Sequence, residues 1–266
     1  MGNRTFLYFL LTFLLYCALP VLAKKTETGF LDRTVSAGGI TYRYQVFVTG
    51  NFDPHKKWPV ILFLHGAGER GDNGLLQTDV GLGHAIRNRP ADLPFVVVMP
   101  QCRTDRHWMD PEMQAQALAA LDASIKEFNG DRDRVYLTGI SMGGYGTWDL
   151  AAKYPGKFAA LIPICGGIHG PERFPQLHVS LADDPKITDP YAETARRIGK
   201  TPVWIFHGME DDTVPVEESR KMARALEAAS GNVRYTEYPG VSHNSWDRAY
   251  AEPGLVSWLL QQKLSR

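Results

Sequence analysis

Val135-Tyr136-Leu137-Thr138-Gly139-Ile140-Ser141-Met142-Gly143-Gly144 changes its periodicity within ten residues. Residues 135–138 form a short β-rich run, and from Met142 to about Lys153 the pattern becomes helical. Between them, Gly139–Gly143 reads Gly-x-Ser-x-Gly. A serine at a sharp strand-to-helix turn needs small flanking residues, because its strained backbone passes close to its neighbours. The helix that follows points its N-terminus, and with it a partial positive charge, at the serine hydroxyl. Ser141 is therefore the candidate nucleophile.

Outward from this turn, strand-like and helix-like segments alternate. Short apolar runs at 60–64, 95–99, 159–164 and 203–206 read as strands buried on both faces, and 233–238 as the last strand. Residues 41–48 alternate like an edge strand. Helices are expected over 111–128, near 216–229 and within 250–264. Such alternation predicts an α/β protein with a mostly parallel central sheet and helices on both faces. Residues 166–200 hold four prolines and show no long period, which predicts an excursion over the sheet without an amphipathic lid helix. No large separate cap domain is expected.

A serine hydroxyl needs a base. Of eight histidines, His65 and His207 each precede a glycine at a strand end and are expected to hold loops in place. His243 lies in the loop after the last strand, which suits the chain order nucleophile, acid, histidine. The acid belongs on the preceding strand-end loop, which offers Glu210, Asp211 and Asp212 with no spacing to separate them. The glycine-rich loop Gly66-Ala67-Gly68 can present a backbone N–H to an oxyanion, which nominates Ala67, with the N–H of Met142 as second donor. Trp108 and Trp246 fall in segments expected to border the pocket and are the candidate substrate-binding residues.

The chain has 266 residues, 29 basic and 29 acidic, so its balanced charge suggests neither a nucleic-acid nor an anionic-membrane partner. Residues 1–23 carry one early arginine, an apolar run and Val21-Leu22-Ala23 before two lysines. That layout predicts a signal peptide cleaved after Ala23, with an uncleaved anchor as the alternative. Residues 24–266 then form one domain, secreted or periplasmic, without stable membrane association. Cys102 and Cys165 both follow strand ends, and export would permit a bond between them. No metal-ligand spacing occurs, so neither metal nor organic cofactor is expected.

The motifs LHGAGERG (64–71), MPQC (99–102), GISMGG (139–144), ICGG (164–167), HGMEDDTVP (207–215) and SHNSWDRAY (242–250) together resemble secreted α/β-hydrolases of the dienelactone-hydrolase and feruloyl-esterase-like kind. The resemblance runs through essentially the whole mature chain and implies the α/β-hydrolase fold. It also implies that the acid heads Asp-x-x-Val-Pro, which selects Asp211, and that Ala67 donates to the oxyanion. The expected activity is a serine carboxylic-ester hydrolase acting on small or carbohydrate-linked esters of feruloyl or acetyl type. Alternatives are a serine peptidase of the same fold and a non-catalytic carbohydrate-binding protein.

Overall fold

The structure, a computed structural model, describes residues 27–89 and 93–264, so the leader read at 1–23 lies outside the described residues. The strands are β1 (Gly29–Ala37), β2 (Ile40–Val48), β3 (Trp58–Leu64), β4 (Val96–Pro100), β5 (Gly130–Ile140), β6 (Ala160–Ile164), β7 (Val203–Gly208) and β8 (Val233–Tyr238). They form one sheet in the order β1-β2-β4-β3-β5-β6-β7-β8. The β1/β2 and β2/β4 pairings are antiparallel and the rest parallel. This is the mostly parallel sheet of an α/β-hydrolase fold.

The two-residue strand period sorts side chains into two cores. Val60, Leu62 and Leu64 of β3 enter one, and Ile61 and Phe63 enter the other. The first core is covered by α2 (Pro111–Glu127), α3 (Met142–Lys153), α4 (Pro190–Ile198) and α5 (Glu217–Ala228). The second is covered by α1 (Leu82–Asn88), α6 (Trp246–Tyr250) and α7 (Leu255–Leu260). Because β3, β4 and β6 are buried along their whole length, each reads as an unbroken apolar run.

Two expectations are corrected. Residues 41–48 are not the sheet edge, since β1 lies outside β2. The two join through Gly38-Gly39, both at positive φ, the tight hairpin turn that glycine adopts without steric cost. Second, 166–200 is irregular only in its first part. Asp189 accepts the Ala192 N–H and Pro190 takes the first turn of α4, so that proline starts a helix rather than breaking one. α4 is amphipathic, but its buried residues Pro190, Ala195 and Ile198 pack against α3 and α5 and do not lid the site. The last helix expected within 250–264 is α7, and the short α6 precedes it across Pro253-Gly254.

Candidate active site

Ser141 sits between β5 and α3 with φ 51° and ψ −117°, a conformation that costs on the order of 1–3 kcal/mol and persists only when its surroundings enforce it. Two hydrogen bonds enforce it: the Ser141 N–H donates to the Ile164 carbonyl at 2.9 Å, and the Gly144 N–H donates to the Ser141 carbonyl at 2.7 Å. The glycine at 143 is needed because a Cβ there would stand 1.9 Å from the Leu64 carbonyl oxygen.

Three strand ends deliver side chains to one line. His243 Nε2 is 2.9 Å from the Ser141 hydroxyl, and His243 Nδ1 is 2.7 Å from Asp211 Oδ2. The loops carrying the two partners are tied together, because the Glu210 N–H donates to the Val241 carbonyl at 2.9 Å. Asp211 Oδ1 accepts the N–H groups of Thr213 and Val214, both at 2.9 Å. Burial would raise the Asp211 carboxyl, but hydrogen bonds from His207 and His243, the charge of His243 and the Val214 N–H hold it far below the usual carboxylate range. Among the described residues, neither Glu210 nor Asp212 reaches His243: both are exposed, and Asp212 accepts from Thr213 and Ser242.

Met142 is the first residue of α3 and Ala67 opens the 3-10 turn Ala67–Glu69, so neither N–H has an acceptor within its own helical turn. Ala67 and Ser141 line one cavity of about 340 Å³ with His243, Trp246, His107, Glu69, Arg70, Phe174, Leu177 and Val214. Trp246 is partly buried and meets the His243 ring edge-on, with centroids 5.5 Å apart. Phe174 and Leu177 come from the irregular segment before α4. That segment is pinned by two buried carboxylates: Glu218 accepts the Ile168 and His169 N–H groups, and Asp149 accepts the Ser180 N–H. Nothing local in the sequence marks Glu218 for this task, since its partners lie some 50 residues away.

Trp108 does not line the cavity, and this corrects the expectation that it meets substrate. It is fully buried, donates its indole N–H to the His65 carbonyl at 2.9 Å and packs edge-on against the His65 ring. Its task here is to support the Gly66–Arg70 turn from beneath. His65 holds the same turn from within the core: Nε2 accepts the Cys102 N–H at 2.9 Å, so Nδ1 donates to the Gly66 carbonyl at 2.6 Å. Burial lowers His65 to about 4. A histidine kept neutral in the fold but free to protonate when unfolded gives stability that is complete above about pH 6.5 and lost as pH falls towards 4. His107, half-buried, is shifted in the same direction. Urea denaturation should therefore show a loss of up to about 3 kcal/mol between pH 6.5 and 4. A flat profile over that window would contradict the account of His65.

Cys102 and Cys165 are free and buried, so the bond that export would permit is not formed. Among the described residues, Cys165, Asp211 and His243 form one group with donor atoms within 4.8 Å, compact enough to suggest a metal. However, Asp211 and His243 already bond each other, and burial, reinforced by Asp211, pushes the Cys165 thiol well above its usual range.

Comparison with known proteins gives the following. A family profile described as "Dienelactone hydrolase family" matches residues 85–251. A protein of Mycobacterium tuberculosis named "Esterase LipC" is 28% identical over 225 residues, 71% of this chain and 54% of that one. An "Uncharacterized secreted protein" of Arthroderma benhamiae is 26% identical over 215 residues, 73% of this chain and 22% of that one. Among solved structures, one described as a thermostable esterase is 32% identical with TM-score 0.72, covering 88% of this chain and 63% of that one. The chain thus spans from about a fifth to under two thirds of the length of these relatives.

Proposed function

The chain belongs to the dienelactone hydrolase family, and from that membership we propose that it is a secreted serine esterase with Ser141, His243 and Asp211 as its triad. The observation that carries this reading is the unbroken hydrogen-bonded line from the Ser141 hydroxyl through His243 to a buried Asp211, opening into a single cavity. His243 Nε2 takes the proton as Ser141 Oγ attacks the ester carbonyl, and Asp211 stabilises the imidazolium through Nδ1–H. The N–H groups of Ala67 and Met142 receive the oxyanion. His243 returns the proton to the departing alkoxide, and water then hydrolyses the acyl-enzyme with His243 again as base. No step requires a metal or organic cofactor.

We further propose a small or carbohydrate-linked ester as substrate. A cavity of about 340 Å³ suits a compact acyl group. Its lining combines the apolar side chains of Phe174 and Trp246 with polar His107 and Arg70, a mixture suited to a phenolic or sugar ring rather than a long alkyl chain. A fluorophosphonate should label Ser141, and p-nitrophenyl acetate and methyl ferulate should be turned over far faster than a matched p-nitroanilide or a long-chain triglyceride. Absence of label would leave a binding protein; a preference for the anilide would make the enzyme a peptidase. Export is part of the same proposal, read from residues 1–23. Mass spectrometry of the exported chain should find Lys24 at its N-terminus.

A further inference from the structure

Behind Asp211 stands a second imidazole. His207, at the end of β7, is fully buried. Its Nε2 lies 3.1 Å from Asp211 Oδ2 and 3.0 Å from the Val214 carbonyl oxygen, and its Nδ1 lies 2.7 Å from the Ser219 hydroxyl on α5. Two acceptors facing Nε2 require that nitrogen to carry the proton, and Nδ1 is left to accept from Ser219. The fold therefore selects one tautomer of His207. Asp211 Oδ2 is shared by two ring donors, with His243 at 2.7 Å and His207 at 3.1 Å.

Resting on the proposed triad, we infer that His207 is a positioning residue of this site: its Nε2–H fixes the carboxylate of Asp211 so that Oδ2 faces His243 Nδ1. The Thr213 and Val214 N–H groups hold Oδ1 and leave Oδ2 to the two imidazoles. Without the His207 donor, the carboxylate can rotate about its Cβ–Cγ bond, and the imidazole loses its alignment with Ser141. Catalysis is sensitive to displacements of this kind, where about 1 Å costs on the order of 10²-fold. His207 also draws electron density from the oxygen that serves His243. Its removal leaves Oδ2 a stronger acceptor for the imidazolium, so the base protonates at higher pH.

Other titratable groups surround the pair. Cys165 after β6 and Tyr145 on α3 interact with Asp211, and Glu237 on β8 interacts with His207. Burial pushes the thiol and the phenol up, and Arg220 holds Glu237 down, so none of the three changes charge between pH 5 and 8. His107, shifted down, and Glu69, shifted up, also line the cavity, but neither bonds to His207 or Asp211. A displacement of the acid limb between wild type and a His207 variant therefore reports on the imidazole–carboxylate pair.

The test is a matched pair of polar variants. The amide nitrogen of His207→Gln overlays Nε2 and keeps a donor for Asp211, whereas the shorter His207→Asn overlays Nδ1 and keeps only the Ser219 contact. Rates are measured on p-nitrophenyl acetate per active site titrated with fluorophosphonate, so that a misfolded fraction does not count. His207→Asn is expected to lower kcat roughly 10- to 100-fold with KM unchanged, and to move the acid limb of kcat/KM up by about half a pH unit. His207→Gln is expected to stay within about threefold of wild type. If both variants match wild type per site with the acid limb unmoved, His207 only supports the fold and the inference fails. Should His207→Asn not fold, nitrogen NMR of the wild type decides: a proton on Nδ1 of His207 overturns the assignment, and a proton on Nε2 upholds it. A wild type that neither takes the label nor cleaves the ester defeats the proposed function instead.

Discussion

Ser141→Ala and His243→Ala are each expected to lower kcat/KM for p-nitrophenyl acetate by roughly 10⁴- to 10⁶-fold, with the double variant no worse than either single one. The reason lies in the hydrogen-bonded line. The Ser141 hydroxyl is a weak nucleophile until His243 Nε2, 2.9 Å away, accepts its proton. Removing either partner removes the attack itself, so the second removal has nothing left to abolish. The expected residual rate comes from substrate binding and from the proposed oxyanion donors, the Ala67 and Met142 N–H groups. Neither change should melt the fold. The strained backbone at 141 is held by main-chain bonds to Ile164 and Gly144 that alanine retains, and His243 is partly exposed. Thermal unfolding within a few degrees of wild type, measured beside the kinetics, separates loss of chemistry from loss of structure. Strictly additive losses would mean that Ser141 and His243 do not act as one unit.

Asp211→Asn is expected to cost roughly 10³- to 10⁴-fold in kcat, less than either change above, while Asp212→Asn stays within about twofold. Asp211 Oδ2 accepts the Nδ1–H of His243, which leaves Nε2 free to accept from Ser141. An amide turned with its NH2 group towards His243 favours the opposite tautomer, with the proton on Nε2 facing the serine. The same NH2 group would meet the His207 donor. Turning the amide to satisfy both imidazoles instead places NH2 against the Thr213 and Val214 N–H groups. Some stability is therefore lost as well, about 1–3 kcal/mol. Asp212 is exposed and meets only two hydroxyls, so its amide is tolerated. Steady-state kinetics on the two variants side by side decide the assignment; the reverse order of damage would move the acid to Asp212.

Much of this architecture was legible along the chain. The apolar runs within β3, β4, β6 and β7 stand out because a strand covered on both faces has no polar side to interrupt it. By contrast, β5 was legible only from Val135 on, since its first half carries Asp131, Arg132, Asp133 and Arg134. The bounds of α3 were readable because the glycine-rich turn at Ser141 marks its start so sharply. β1 escaped notice: a half-exposed strand containing Asp32, Arg33 and Ser36 has little apolar contrast, and its signal was the Gly38-Gly39 turn. Chain order alone pointed to Ser141 and His243 as a pair, although they are 102 positions apart.

What spacing could not do was choose among adjacent side chains. Glu210, Asp211 and Asp212 are consecutive, and a one-residue step turns a carboxylate away from its target. In the folded protein it is Asp211 whose carboxylate faces His243, held by the Thr213 and Val214 N–H groups and by His207, while Glu210 and Asp212 are exposed. Trp108 and Trp246 looked alike in sequence, yet one is sealed under the Gly66–Arg70 turn and the other opens on the cavity. The second imidazole on Asp211 was visible only as a histidine before a glycine. Periodicity follows from backbone geometry and is written locally in the chain. The direction in which a loop side chain finally points depends on neighbours brought in by the packing of distant strands, and that packing exists only once the sheet has formed.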